Sequence, residues 1–326
     1  MIKDNLKEIR TPVITELDEF EKIFKDSLKS KVGLVDLVTK FILKQKGKKI
    51  RPLLVLLSAQ LSGGVTRRSY RGASLVELLH TATLVHDDVV DGAEKRRGFP
   101  SINAIWKNKI SVLMGDYLLS RGLLLAVEAD DFDFLKVITS TVKRMSEGEL
   151  LQIGKTRRLN IDEETYFRII SDKTASLLST CCEIGALSAS NNLKYIVAMR
   201  EYGENLGMAF QIRDDILDYV GKSKLIGKPL GADIKDKKIT LPLIHALSIA
   251  NKSEAKEIIG YLKNGNKNPK VNEIIEFVKG RNGIEYSLKI AEGFALKAKA
   301  SLNVFPDSAS KTSLNNLVNF VVNRSN

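Results

Sequence analysis

Apolar residues recur at helical spacing along almost the whole chain, and the alternating runs that build strands are few. That pattern predicts an all-α fold, and two of its helices carry the same acidic insertion, DDxxD. The first apolar stretch (Leu75, Val76, Leu78, Leu79, Leu84, Val85) leads into Asp87, Asp88 and Asp91. The second (Leu206, Met208, Ala209, Phe210, Ile212, Ile216, Leu217) holds Asp214, Asp215 and Asp218. Side chains four apart on a helix stack on one face, so Asp87 and Asp91 project together. Carboxylates that close repel unless a cation sits between them. Hard oxygen donors on a helix suit Mg²⁺, which takes one or two carboxylates, keeps waters and shares substrate phosphates. Lys95, Arg96 and Arg97 follow the first motif, and fixed cations are what the remaining oxygens of a polyphosphate need. A single DDxxD is more often a solvated face. Two of them, in apolar helices that could face each other across a carboxylate-lined cage, point to a metal–diphosphate site.

The rest of the chain supports one large helical domain over residues 1–326. Its length can bury a sizeable core, its seven prolines are few, and no Pro/Gly/Ser-rich linker divides it. Cys181 and Cys182 are adjacent, too few for a disulfide framework and poorly placed to bridge each other, which suits a reducing compartment. The charged start, MIKDNLKEIR, lacks the apolar core of a signal peptide, and no uninterrupted run of about 18 apolar residues predicts a membrane span. A cytoplasmic location is expected. The net charge of +12 does not imply nucleic acid, because 51 basic residues are interspersed with 39 acidic ones and no nucleic-acid motif accompanies them. It serves an anionic small substrate, or at most peripheral contact with an anionic membrane, equally well.

Taken in order, residues 5–45 read as two amphipathic helices. GKKIRP (Gly47–Pro52) then ends one helix and opens another, setting Lys48, Lys49 and Arg51 near a helix N-terminus where free N–H groups add to their charge. Helices are expected over about 102–128, which contains MGDYLL, and over about 132–153, which ends in EGELLQ. The helical region 161–190 carries Lys173 and Thr174 among apolar residues. A lysine there must reach solvent or meet an anion. After the second aspartate motif, GKSKLIGKPLGADIKDKKITLP reads as a lysine-rich loop holding Lys228, Asp233 and Lys238. Residues 253–326 read as amphipathic helices and polar turns without evident chemistry.

GKKIRP, HTATLVHDDVVD with RRG, GDYLL, EGELLQ, KTA, FQIRDDILD and GKPLGADIKDKKITLP stand in that order, and with them the chain resembles the trans-isoprenyl (polyprenyl) diphosphate synthase family, long-chain type, over nearly its whole length. The resemblance implies an isoprenoid synthase-like helical bundle around a deep central cavity, in a homodimer. It implies Mg²⁺-dependent head-to-tail condensation of isopentenyl diphosphate onto an allylic diphosphate, farnesyl or geranyl. By the same resemblance Asp87, Asp91 and Asp214 are the main metal ligands, and Asp88, Asp215 and Asp218 supporting ones. Arg96, Lys173, Lys228 and Lys238 match residues that hold the allylic diphosphate. Lys48, Arg51, His80 and Arg97 match the isopentenyl diphosphate site. Thr174 and Gln211 match positions beside the developing cation, and Gln152 a further cavity position. Two departures stand out: Lys235-Asp236-Lys237-Lys238 replaces an EGK-type segment before TLP, and Lys49 replaces a common arginine without its bidentate fork.

In this family a bulky residue four or five positions before the first aspartate stops chain growth. Here those positions are Thr83 and Ala82, both small, which implies a long product of roughly C30–C40 for a quinone side chain, set by how deep the cavity runs. Met145, with Thr141 and Ile138 behind it, is the candidate floor. Alternatives are a shorter-chain farnesyl or geranylgeranyl diphosphate synthase and a non-catalytic helical partner subunit. A terpene cyclase would lack the second DDxxD and need no GKKIRP.

Overall fold

The computed structural model describes residues 2–45, 47–96, 98–220, 231–263 and 270–323, with side chains from residue 6 onward. Arg97 and Lys228, both expected to bind substrate, lie outside the described residues. Chain contacts divide the protein into two compact units. One comprises residues 1–140, 180–200 and 304–314, the other residues 141–179, 201–303 and 315–326. Each is taken by itself.

In the first unit, the region expected to form two amphipathic helices forms three: α1 (Ile2–Arg10), α2 (Ile14–Ser27) and α3 (Gly33–Lys44). Pro12 sits in the tight turn between α1 and α2, where its missing N–H cannot continue a helix. Helix α4 (Ile50–Ser62) is the centre of this unit, with Leu53 to Leu57 wholly buried. Helix α5 (Arg67–Val90) opens on a reciprocal cap between Thr66 and Ser69 and carries the first aspartate motif in its last turn. A two-residue antiparallel pair follows, β1 (Lys95–Arg96) and β2 (Phe99–Pro100), with Arg96 opposite Phe99.

Helix α6 (Ile102–Val127) packs along α5 through small residues. A Cβ on Gly122 would lie 3.3 Å from side-chain atoms of Leu75 and Leu78, and one on Gly115 would collide with the His86 ring. By length and composition α6 is apolar enough to cross a membrane, which corrects the sequence expectation that no such segment exists. The discrepancy arises because Asp116 and Arg121 break any continuous apolar run in α6 without lowering the average far. A core helix of a packed protein passes the same criterion, and Met114, Leu118 and Ala126 on α6 are buried.

Helix α7 (Phe132–Arg158) begins beside a cluster in which Arg68 donates to Asp131 and Asp133 and to the carbonyl of Leu187. In the second unit, α8 (Glu163–Ile170) is capped by Asp162, whose carboxylate accepts from the Thr165 N–H at 2.8 Å. The helix then widens into one π-helical turn over Ser171–Ala175 before continuing as α9 (Ser176–Ala189). Helix α10 (Leu193–Val220) carries the second aspartate motif. Short α11 (Ala232–Lys235), α12 (Leu241–Ile249), α13 (Lys252–Lys263), α14 (Val271–Lys279) and α15 (Gly283–Ser301) follow, and α16 (Ala309–Val322) closes the described chain. The core of the second unit joins Tyr166, Ile212, Ile216, Tyr219, Leu243 and Ile274.

Candidate active site

The first unit encloses a cavity of about 480 Å³, within the roughly 300–1,000 Å³ typical of ligand sites. GKKIRP delivers Lys49 and Arg51 to its wall, α5 delivers His80 and Asp88, and the small hairpin delivers Arg96. Lys49 takes the left-handed conformation (φ 46°) that caps α4, and its ammonium meets Glu21 at 2.9 Å. Arg10 of α1 donates to the carbonyl oxygen of Lys48 at 2.5 Å and also lines this cavity. Sequence reading missed Arg10, because no local pattern ties it to a loop 38 residues away.

The three aspartates of the first motif are not equivalent. Asp88 is 3 % exposed, and its Oδ1 accepts from the Arg96 guanidinium at 2.7 Å. Asp91 is the exposed residue that ends α5, its N–H bonded to the carbonyl of Asp87. Asp87 is half-buried one helical turn earlier. Ala82 is buried on α5, and the Thr83 hydroxyl donates to the carbonyl of His80. Neither lines the 480 Å³ cavity, although Thr81, Leu84 and Val85 do.

The second unit holds a cavity of about 230 Å³, and most of the remaining expected residues line it: Gln152, Lys173, Thr174, Gln211, Lys238 and all three aspartates of the second motif. Lys173 solves its burial problem by pairing, since its ammonium contacts the Glu149 carboxylate at 2.5 Å and donates to Gln152 Oε1 at 3.0 Å. The π-helical turn is what presents Lys173 and Thr174 together, and such turns are frequent at functional sites. It is held from outside by Arg144, which donates to Asp172, Ser171 and Glu204. Glycines of the neighbouring helices approach it closely: a Cβ on Gly148 would lie 2.9 Å from Asp172 Cβ, and one on Gly207 only 2.5 Å from Ala175 Cα. Lys238 stands 3.7 Å from Asp233 and 3.6 Å from Asp236. Met145 and Thr141 do not line this cavity, and Ile138 belongs to the core of the first unit.

Here too the aspartates divide. Asp214 is exposed. Asp218 accepts the backbone N–H groups of Ala232 and Asp233 at 3.0 and 3.1 Å, tying the start of α11 to α10. Asp215 is 5 % exposed, and its two oxygens accept from the Tyr166 hydroxyl at 2.7 Å and the Gln211 amide at 2.8 Å. Burial pushes the Asp215 carboxyl up to about 8, with the Asp233 charge adding to the effect and the two donors opposing it. Tyr166 was not singled out from the sequence. A signal existed: it lies seven residues, two helical turns, before Lys173 and so shares its face.

The raised Asp215 gives a pH prediction. The folded state retains a proton that the unfolded chain, with an ordinary carboxyl near 3.8, has released. Stability from this group is therefore fully present below the unfolded value and lost as pH rises to about 8. In chelator, Asp215→Asn should flatten the decline in Tm between pH 5 and about 8; parallel profiles for the two proteins would refute the assignment.

Among the described residues, no group of three or more His, Cys, Asp or Glu side chains is assembled as a complete metal cage. The donors present are carboxylate oxygens set among cationic side chains, the set that suits a hard divalent ion completing its shell with substrate oxygens.

Comparison with known proteins gives concordant matches. The sequence profile of the family described as polyprenyl synthetase matches residues 33–278. The chain is 33 % identical to an all-trans-nonaprenyl-diphosphate synthase (geranyl-diphosphate specific) of Rhodobacter capsulatus, over 99 % of both chains. It is 32 % identical to an octaprenyl diphosphate synthase of Escherichia coli, over 98 % of this chain and 99 % of that one. Its structure matches a polyprenyl synthase from Caulobacter crescentus, complexed with calcium and isoprenyl diphosphate, with a TM-score of 0.90 at 33 % identity over 98 % of both chains. It also matches a geranylgeranyl pyrophosphate synthase from Bacteroides thetaiotaomicron, with a TM-score of 0.83 at 38 % identity over 98 % of this chain and all of that one.

Proposed function

The chain belongs to the polyprenyl synthetase family, and from that premise we propose that it carries out Mg²⁺-dependent condensation of isopentenyl diphosphate onto an allylic diphosphate. The protein is a long-chain trans-polyprenyl diphosphate synthase. The observation that carries the site assignment is the division of labour among the aspartates. In each motif one carboxylate is buried and committed to protein donors, Asp88 to Arg96 and Asp215 to Tyr166 and Gln211. Asp87, Asp91 and Asp214 are assigned as the metal ligands, and Asp88, Asp215 and Asp218 as the groups that position them.

Mg²⁺, when held there, neutralises the diphosphate oxygens and makes diphosphate a competent leaving group. The side chains do the rest. Arg96, Lys173 and Lys238 supply fixed positive charge to the allylic diphosphate as its C–O bond breaks and the electron pair leaves with it. Lys48, Arg51 and His80 hold isopentenyl diphosphate by its headgroup. Thr174 and Gln211 lie beside the allylic cation that the alkene of isopentenyl diphosphate attacks. The released diphosphate takes the proton whose loss restores a double bond, so no nucleophilic side chain is needed. A homodimer is proposed with it, supported by large apolar side chains that α6 leaves exposed, among them Leu113 at 58 % and Val127 at 47 %. A cytoplasmic location fits the two buried, unbridged cysteines.

Product analysis tests the reading. Purified protein with Mg²⁺, farnesyl diphosphate and labelled isopentenyl diphosphate should give all-trans products of roughly C30–C40, suitable as quinone side chains. Thr83→Phe should shift the distribution several isoprene units shorter. It is preferred to Ala82→Phe because Ala82 is 1 % exposed, and a ring there would overpack the core. An unshifted distribution would remove position 83 from control of length, and products ending at C15 or C20 in the unchanged protein would favour a short-chain enzyme.

A further inference from the structure

We propose that Tyr166 is a positioning residue for the reaction, acting on Thr174 through Asp215 and Gln211. The inference rests on the functional reading above and extends it to a residue outside both aspartate motifs and the KTA segment. Tyr166 is 3 % exposed in the core of the second unit, and it also lines the 230 Å³ cavity. Its hydroxyl donates to Asp215 Oδ2 at 2.7 Å. Gln211 Nε2 donates to Asp215 Oδ1 at 2.8 Å, and the Thr174 hydroxyl donates to Gln211 Oε1 at 2.9 Å.

The hydrogen bonds of this chain run in one direction. Each Asp215 oxygen accepts from a donor, Oδ2 from the Tyr166 hydroxyl and Oδ1 from the Gln211 amide. With Tyr166 on Oδ2, Oδ1 is left for Gln211, which must present its NH₂ and therefore turn its carbonyl oxygen toward Thr174. The Thr174 hydroxyl then spends its single hydrogen on that oxygen. Its lone pairs remain for the cavity that Thr174 lines. An oxygen oriented in advance stabilises positive charge developing beside it without reorganising during the reaction. Without the Tyr166 hydroxyl, Asp215 can rotate, Gln211 can flip, and Thr174 can turn its hydrogen inward, which would repel the cation.

The test is a double-mutant cycle on the full-length enzyme, with farnesyl diphosphate, isopentenyl diphosphate and saturating Mg²⁺. Tyr166→Phe keeps the buried ring and should lower kcat roughly tenfold, the worth of one buried hydrogen bond. The KM for isopentenyl diphosphate should stay within about twofold. In a Thr174→Val background, which has no hydroxyl to orient, Tyr166→Phe should change kcat less than about twofold, whereas in Thr174→Ser its full effect should return. Gln211→Met breaks the relay at its middle without touching the buried ring. It should show the same dependence on Thr174 even if Tyr166→Phe folds poorly. Equal losses in all Thr174 backgrounds would mean that Tyr166 is merely structural, and an unchanged kcat would likewise overturn the proposal. A lack of any condensation product from the unchanged protein would overturn the functional reading itself, and the inference with it.

Discussion

Asp214→Ala is expected to lower kcat about a thousandfold or more while leaving Tm nearly unchanged. Loss of a metal ligand removes several kcal/mol of charge stabilisation from the departing diphosphate, and each 1.36 kcal/mol is about tenfold in rate. Asp214 is exposed, so its truncation empties no core position. Asp218→Ala should behave differently, because its carboxylate caps the backbone of Ala232 and Asp233. There the rate loss should come with a rise in the Mg²⁺ concentration needed for half-activity and a lower Tm, as the segment bearing Asp233 and Lys238 loosens. Steady-state rates across a Mg²⁺ titration, with melting curves alongside, separate the two. Asp214→Ala retaining more than a tenth of the activity would remove it from the metal site.

Gly207→Ala carries the second large effect. Its added Cβ would lie 2.5 Å from Ala175 Cα and 2.8 Å from Ala175 Cβ, backbone-level contacts that no side-chain rotation relieves. The helices must separate, at about 1–3 kcal/mol in stability. Because Ala175 is the last residue of the π-helical turn, the strain reaches Thr174 and Lys173 next to it. Gly203→Ala is the control: its Cβ would meet Leu178 and Ser179, past the turn, with equally short contacts at 2.5 and 2.6 Å. Both variants should lose stability to a similar extent, and only Gly207→Ala should lose ten- to a hundredfold in kcat at a temperature where both are folded. Equal activity in the two would show that the placement of the turn does not limit the reaction.

Much of this was legible in the sequence because it is written at short range. The apolar periodicity predicted the helices, and Pro12 marked a break that the two-helix reading of residues 5–45 passed over. Two aspartates one helical turn apart, and a lysine among apolar residues, are statements about neighbours on one helix, and they marked the candidate groups. The GKKIRP glycine and proline placed Arg51 at the start of α4, where the structure has it. What stayed illegible is long-range. Asp88 and Asp91 look alike in sequence, and what separates them is that Arg96 returns on a two-residue hairpin to one of them. Asp214 and Asp215 are adjacent, yet only Asp215 turns inward to meet Tyr166, 49 residues earlier in the chain.

The sequence alone therefore determined the fold class and, through the resemblance its motifs carry, the family, because each is written in residue chemistry and in spacings of a few residues. The tertiary structure decided which carboxylate oxygens are already occupied, why the KTA segment widens into a π-turn between Gly148 and Gly207, and which way the Thr174 hydroxyl points. These depend on contacts between helices distant in the chain. Their geometry is fixed by close packing and hydrogen-bond satisfaction of the whole unit rather than by any local pattern.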